Sequence, residues 1–207
     1  MNLKQIRSIV KRNTGADTMN MPDYSIDQFI NLAQKEVVRQ TLTLKKTVAV
    51  TTVAAQEQYD LPADFHKSTQ MKVGSNFPQY QTEEFIRELY TTTVTTGTPY
   101  YYYIDREAGK YGLFPVPTGV QTGIFMYRAL PTVLSADSDE PDIHETYHDL
   151  IVYDACRRVS EQLNKFDEAT HFLSMFKMLM EDMANDMGAR QADIGPTVIQ
   201  SADILDA

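Results

Sequence analysis

The 207-residue chain is short of several residue types, and each shortage excludes a class of protein. It has no Trp and a single cysteine, Cys156, so it cannot form an internal disulfide, and a reducing compartment is the expected setting. No run of about 18 apolar residues occurs, which excludes a membrane-spanning helix. The charged N-terminus lacks the apolar segment of a signal peptide. We therefore expect a soluble protein that is intracellular when made and is not bound to a membrane.

Basic residues are also scarce, since 19 Lys and Arg stand against 28 Asp and Glu, for a net charge of −9. Residues 1–46 hold eight basic and four acidic side chains, a balance of +4, whereas residues 47–207 have a balance of −13. Such a chain lacks the basic footprint of a tight nucleic-acid binder. The hydrophobic content of 43% is that of an ordinary globular protein.

Helical patterns occupy the first part of the chain. Leu3, Ile6 and Val10 share one face and predict a short helix. A capping box that begins at Ser25 then predicts a second helix over about residues 26–43.

Two more helices are predicted near the other end. The third follows the acidic loop 135–142 and carries Tyr147, Leu150, Ile151, Ala155 and Val159 on one face. The fourth spans about residues 168–187, with Gly188 as its C-terminal stop. A Met-rich face from Met175 to Met187 favours core packing over a docking surface.

The middle of the chain has the pattern of β structure. The alternating, β-branched run Thr47–Val53 predicts a strand that forms a hairpin with Gln58–Leu61. The other predicted elements are a strand at Met71–Val73, a brief helix at Glu83–Tyr90, and strands at Tyr100–Asp105, Tyr111–Phe114 and Thr122–Ala129.

The order of these elements predicts an α+β fold. N- and C-terminal helices form a helical bundle that carries an inserted antiparallel β unit, followed by an extended C-terminal tail. The expected parts are residues 1–46 (first bundle helices), 47–131 (inserted β subdomain), 132–188 (last bundle helices) and 189–207 (tail for partner docking).

One motif suggests an enzyme. His144, Glu145 and His148 match H-E-x-x-H, in which two His one helical turn apart bind zinc and the Glu activates a water. The alternative function is therefore a zinc-dependent peptidase or peptidoglycan hydrolase. The longer metzincin motif is absent, because Ile151 and Asp154 occupy its positions, and Asp142 and Glu145 favour a charged rather than a metal-binding His144. We favour ordinary polar histidines at the start of a helix, and predict no metal, no cofactor and no catalytic residues.

Three other features have a structural and a functional interpretation. Cys156 beside two arginines could be a reactive thiolate, but a small packing residue is favoured. Tyr100–Tyr103 could stack bases, although strand alternation would place half of these rings in the core. The basic residues of the first helix could contact phosphate, but their spacing is typical of a solvated helix face. These residues are Lys4, Arg7, Lys11 and Arg12.

The tail contains apolar side chains that nothing within the tail would cover. A partner surface is therefore the favoured interpretation. The predicted partner-binding residues are Ile194, Pro196, Val198, Ile199, Ile204 and Leu205.

Five short sequence segments, taken together and in their order along the chain, resemble the head–tail adaptor (connector) proteins of tailed bacteriophages. They are Gln58–Phe65, Gly97–Tyr100, Leu113–Pro117, Tyr127–Arg128 and Pro141–Ile151. The resemblance runs from about residue 20 to residue 187. Because that family often carries a His near position 144, the resemblance makes the zinc motif a coincidence.

The resemblance implies a structural virion protein and not an enzyme. It implies a ring of copies, commonly twelve, beneath the portal protein, where it connects the capsid to tail or nozzle proteins. Genomic DNA would pass through the lumen without sequence-specific binding, and the C-terminal tail would grip the portal. The implied location is the virion's head–tail junction, with the host cytoplasm during assembly, where we expect a largely monomeric free chain.

Overall fold

The computed structural model describes residues 1–89 and 95–193, with the side chains of residues 1–89 and 95–186. These residues confirm an α+β fold with helices at both ends. The helices are α1 (Leu3–Thr14), α2 (Asp23–Thr41), α3 (Glu83–Leu89), α4 (His148–Gln162) and α5 (Phe166–Asp193). The strands are β1 (Lys45–Thr51), β2 (Gln58–Asp60), β3 (Phe65–Val73), β4 (Gln79–Tyr80), β5 (Thr96–Gly97), β6 (Tyr101–Asp105), β7 (Lys110–Phe114), β8 (Val116–Pro117) and β9 (Thr122–Ala129).

The chain divides into two compact units. The first, the helical unit, contains residues 1–37, 134–140 and the described residues from His144 to Asp193. The second, the β unit, contains residues 38–133 together with 141–143. The boundary between the two units, at Val37 and Val38, falls inside α2. The sequence pattern predicts this helix but gives no sign of a boundary within it.

The helical unit is built on the apolar faces that the sequence predicts. Each helix buries residues three or four positions apart, which is the spacing of one helix face. The fully buried side chains at the centre of this unit include Leu3, Ile6 and Val10 of α1, Ile26, Ile30 and Ala33 of α2, and Leu150, Ile151, Ala155 and Val159 of α4.

The helix starts differ from the predicted ones. A capping box is present, but it is formed by Asn2 and Gln5 at the start of α1, where each side chain accepts a hydrogen bond from the other residue's backbone N–H. The predicted box at Ser25 is wrong, because α2 begins two residues earlier, at Asp23. Pro22 precedes that first turn, and its carbonyl accepts hydrogen bonds from the Ser25 and Ile26 N–H groups.

The last helix is longer than predicted. α5 runs from Phe166 to Asp193, so Gly188 is not its stop and the first five residues of the predicted tail are helical. A glycine inside a helix costs about 1 kcal/mol relative to alanine. The residues that follow Gly188 are Ala, Arg, Gln and Ala, all strong helix formers that favour continuation.

In the described residues of the β unit, the strands form three sheets with strand orders β1-β9-β3, β2-β7-β6-β4 and β5-β8. Most pairs are antiparallel, whereas β4–β6 and β5–β8 are parallel. The predicted hairpin of Thr47–Val53 with Gln58–Leu61 is wrong. β1 pairs with β9 along its whole length, and β2 pairs with β7 in a different sheet. The third predicted strand, Met71–Val73, is only the end of the longer β3.

The β unit's main core lies between its two larger sheets. Phe125 of β9 is fully buried, and its ring lies 5.3 Å from Tyr111 and 6.2 Å from Tyr102 in the other sheet. The opposite face of that second sheet contacts α3, where Ile86 packs with Tyr103 and Phe114. Both faces of the second sheet are therefore covered.

Because both faces of this sheet are covered, the burial of Tyr100–Tyr103 differs from the prediction. Adjacent Tyr102 and Tyr103 are both buried, on opposite faces of β6, while Tyr100 is exposed. Two of the four rings are core residues, as expected. The expectation that alternate rings would face out is wrong, because β6 has no solvent-facing side.

Candidate functional site

The predicted docking residues lie beyond the described part of the chain. Ile194 is the first residue after the end of α5. The other five follow it, and they are Pro196, Val198, Ile199, Ile204 and Leu205. Their role as a docking segment stays a prediction.

The zinc motif does not have the geometry that its chemistry needs. Glu145–Tyr147 form a 3₁₀ turn, and His148 is the first residue of α4, so the two histidines do not lie on successive turns of one α-helix. His144 Nδ1 lies 2.9 Å from Thr146 Oγ1, and His148 Nδ1 lies 2.8 Å from the Met1 nitrogen. Among the described residues, no three His, Cys, Asp or Glu side chains are grouped to hold a metal.

Cys156 is a packing residue. It lies fully buried in α4, and burial raises the pKa of its thiol to about 12. The neighbouring arginines do not act on the thiol, because Arg157 and Arg158 both pair with the buried carboxylate of Asp154, at 2.7 and 2.8 Å. The packing interpretation is confirmed, and the thiolate interpretation is wrong.

The basic face of α1 is partly structural. Arg7 donates two hydrogen bonds to the Asp27 carboxylate, at 2.6 and 2.8 Å, and lies 3.0 Å from Asp137. Lys11 pairs with Asp23. These ion pairs connect α1 to α2 and to the 134–140 loop, so only part of this basic face is a solvated surface.

A row of three cations crosses the first sheet of the β unit. The strand register aligns Lys45 of β1 with Arg128 of β9, and Arg128 with Lys67 of β3. The outward position of this row follows from Tyr127, the next residue of β9, whose side chain is buried in the core. We call Lys45, Arg128 and Lys67 the cationic row.

The cationic row is electrostatically unfavourable by itself. The Ala129 N–H donates to the Leu44 carbonyl, so the adjacent Lys45–Arg128 pair is a non-hydrogen-bonded pair, in which side chains approach most closely. Like charges directly opposite each other destabilise a sheet. Within residues 1–89 and 95–186, none of the three forms an ion pair, and Arg128 instead donates to the Leu42 carbonyl at 2.6 Å.

The helical unit carries a surface of the opposite sign. A cavity of about 270 Å³ lies between the start of α4 and the C-terminal half of α5. Its apolar wall is formed by Leu150, Leu179 and Met183, and none of the basic side chains among residues 1–89 and 95–186 lines it. We call it the acidic cavity, after the three carboxylates that line it, Asp149, Asp182 and Asp186.

Exposed aromatic side chains mark one edge of the second sheet. Phe77, Tyr80 and Tyr100 are each more than half exposed, and β4 is the edge strand there. The Gln79 N–H donates to the Tyr100 carbonyl, which places Tyr80 and Tyr100 close together, and Phe77 lies two residues before β4 in the chain. Aromatic residues that remain accessible at a sheet edge are typical of contact surfaces.

Sequence reasoning missed both charged surfaces. The cationic row is made by pairing β1 and β3 with β9, and the predicted hairpin assigned β1 a different partner. The acidic cavity could have been suspected, because Asp182 and Asp186 are four residues apart on one predicted helix face.

Comparison with protein families identifies the chain as a structural protein of phage virions and not an enzyme. Residues 1–200 match the SU10 adaptor protein family, and the chain belongs to that family. It is a head–tail adaptor that associates with other head and tail components of the virion. A search of curated proteins found no match to the chain. Over residues 1–89 and 95–193, no helix has the length and apolar character needed to cross a membrane.

Proposed function

We propose that copies of this adaptor form a ring, with twelve members, beneath the portal and join the capsid to the tail or nozzle proteins. The observation that carries the proposal is the family match, which spans both compact units and reaches residue 200. The exposed aromatic edge of the β unit supports it as well, since such surfaces are covered in assemblies. Before incorporation, the chain resides in the host cytoplasm, largely as a monomer.

Genomic DNA passes through the lumen of the proposed ring without sequence-specific binding. The net charge of −9 supports this, because an acidic surface repels phosphate and leaves the DNA free to slide. Tight binding would oppose passage of the genome.

The C-terminal tail is the proposed portal-docking segment. Its apolar residues, Ile194, Val198, Ile199, Ile204 and Leu205, would be covered by the portal together with Pro196. Burial of each aliphatic side chain contributes about 1.5–3 kcal/mol, so a few of them suffice for a specific contact.

Binding of the purified adaptor to portal rings tests this role directly. A chain truncated after Asp193 keeps every residue from 95 to 193 that the structure describes, and we expect it to lose portal binding. Val198→Asp with Ile199→Asp should have the same effect, whereas Gln200→Ala with Ser201→Ala, the matched polar control, should bind normally.

Cryo-electron microscopy of the neck provides the independent readout. Adaptor density in a ring directly below the portal is the expected result. Wild-type binding by the truncated chain would show that the tail is not the docking segment, and a neck without this polypeptide would refute the proposed function.

A further inference from the structure

We propose that the cationic row of one copy docks on the acidic cavity of a second copy. This inference rests on the proposed ring, and it names the surfaces through which neighbouring copies meet. The cationic row belongs to the β unit and the acidic cavity to the helical unit, so one chain carries both halves of the contact.

An anionic occupant would relieve the charge repulsion within the cationic row. Three like charges on adjacent strands repel one another, and within the described residues no carboxylate pairs with any of them. A carboxylate surface from outside the chain would convert this repulsion into attraction. The repulsion would then be a cost that the free chain bears and that the assembly removes.

The acidic cavity fits the side chains that the row presents. The stems of Lys and Arg are apolar and pack on apolar walls while their charged ends reach polar groups. The cavity has that layout, with Leu150, Leu179 and Met183 beside the Asp149 and Asp182 carboxylates. The third carboxylate, Asp186, already accepts a hydrogen bond from Tyr147, which fixes it at the cavity.

A second copy is the favoured source of these carboxylates. Charge complementarity between two surfaces of the same chain gives each copy one surface of each kind. The contact is heterologous, because the surface used on one copy differs from the surface used on its neighbour. Repeated heterologous contacts close into a ring when the rotation permits, which agrees with the proposed assembly.

Cross-linking with a water-soluble carbodiimide tests the contact at residue level. The reagent joins a lysine amine to a carboxylate with loss of water, and therefore reports only touching pairs. An equal mixture of ¹⁴N- and ¹⁵N-labelled adaptor is treated, alone and assembled on portal rings, and analysed by mass spectrometry. We expect mixed-isotope links from Lys45 or Lys67 to Asp149, Asp182 or Asp186.

Charge reversal supplies the functional test. Lys45→Glu with Lys67→Glu reverses the ends of the cationic row, and Asp182→Lys reverses part of the cavity. Each variant alone should weaken adaptor–adaptor association by about tenfold or more, measured by sedimentation velocity at adaptor concentrations high enough for the wild type to associate. A mixture of the two variants should associate again, because each then offers the surface that the other needs.

Matched controls separate this contact from net charge and from misfolding. Arg12→Glu with Lys35→Glu and Glu107→Lys change charge equally at other exposed positions, and we expect wild-type association. Melting temperatures no lower than that of the wild type would show that the row and cavity variants remain folded.

Three results would overturn the inference. Links between copies that avoid both surfaces would do so, as would reversal variants that associate like the wild type. The same holds if reversing the row abolishes binding of duplex DNA but leaves association intact, since DNA would then be the occupant. In all three cases a ring seen beneath the portal would leave the proposed function standing, whereas absence of any ring would refute that function instead.

Discussion

Gly112 shows how a single residue adapts to its neighbours in the β unit. It lies on β7 directly opposite Tyr103 of β6. A Cβ atom at position 112 would overlap the Tyr103 ring. That ring is also held at its far end, where its hydroxyl donates to Glu57 at 2.6 Å. Glycine is therefore required at position 112 by the close approach of a buried ring.

Gly112→Ala should destabilise the β unit. Because the Tyr103 ring is buried and hydrogen-bonded, it cannot move away without loss, and we expect the free energy of unfolding to fall by about 1–3 kcal/mol. Urea denaturation provides the measurement. Gly119→Ala, where a Cβ meets no neighbouring atom, is the control and should change little. Equal stability of the two variants would contradict the packing argument.

Cys156 should be unreactive in the folded protein. The thiol is fully buried and its pKa is raised to about 12, so the nucleophilic thiolate is scarce at neutral pH. With a chromogenic disulfide reagent at pH 8, we expect no labelling in buffer and one thiol per chain in concentrated urea. Rapid labelling of the native chain would show that α4 opens easily.

At the scale of elements, one polar network ties the edge strand β1 to the rest of its sheet. Lys46 of β1 lies 2.7 Å from the Asp64 carboxylate, which also accepts a hydrogen bond from the Tyr127 hydroxyl of β9 at 2.8 Å. Burial would raise the pKa of Asp64, but the hydrogen bonds from Lys46 and Tyr127 outweigh it and lower this pKa. Burial and the Asp64 carboxylate raise the pKa of Tyr127 to about 12.

This network gives the β unit a pH-dependent stability. A carboxyl whose pKa is lowered by folding stabilises the fold above its unfolded pKa of about 3.9, and this stabilisation is lost as the pH falls through the folded value. Asp64→Asn should therefore cost about 1 kcal/mol of unfolding free energy at pH 7 and progressively less below pH 4.

The exposed ion pair of Asp60 with Lys110, at 3.4 Å, is the matched control for this prediction. Asp60→Asn should change stability little at any pH, because exposed pairs contribute little. Chemical denaturation across a pH series measures both variants. A constant deficit of Asp64→Asn down to pH 2 would mean that its charge is not the cause.

At the scale of the whole molecule, the stability of the fold favours a negative charge beside Arg128, whereas the proposed assembly favours the positive charges of the cationic row. Lys45 and Lys67 flank Arg128 on adjacent strands, so replacing either lysine by Glu turns a repulsive pair into an attractive one. The native residues are thus suboptimal for the free chain. Such a conflict is expected where a surface serves a partner.

Lys45→Glu should therefore stabilise the free adaptor while weakening its association with other copies. We expect a gain of about 0.2–1 kcal/mol in unfolding free energy, the range for a cross-strand charge pair. Thermal and urea denaturation at low salt measure the gain, which should shrink at high salt. A destabilised variant would show that Lys45 has a structural partner and does not bear a cost in the free chain.

The sequence alone determined the buried faces of the main helices, the α+β order of elements and the net negative charge. It also determined the class of protein, a phage structural adaptor. Helical hydrogen bonds join residues four apart, so the faces of Leu3, Ile6 and Val10, or of Leu150 and Ile151, can be read locally. The resemblance to phage adaptors likewise rested on short sequence segments and their order along the chain, and the family match confirms it.

Only the tertiary structure decided which strands pair, and with that the charged surfaces. A strand can take its partner from anywhere in the chain, so the neighbouring runs Thr47–Val53 and Gln58–Leu61 suggested a hairpin that does not exist. β1 instead pairs with β9, far along the chain, because the inner faces of two separate sheets must be buried against each other. Together with the pairing of β3 with β9, this pairing brings Lys45, Arg128 and Lys67 into one row.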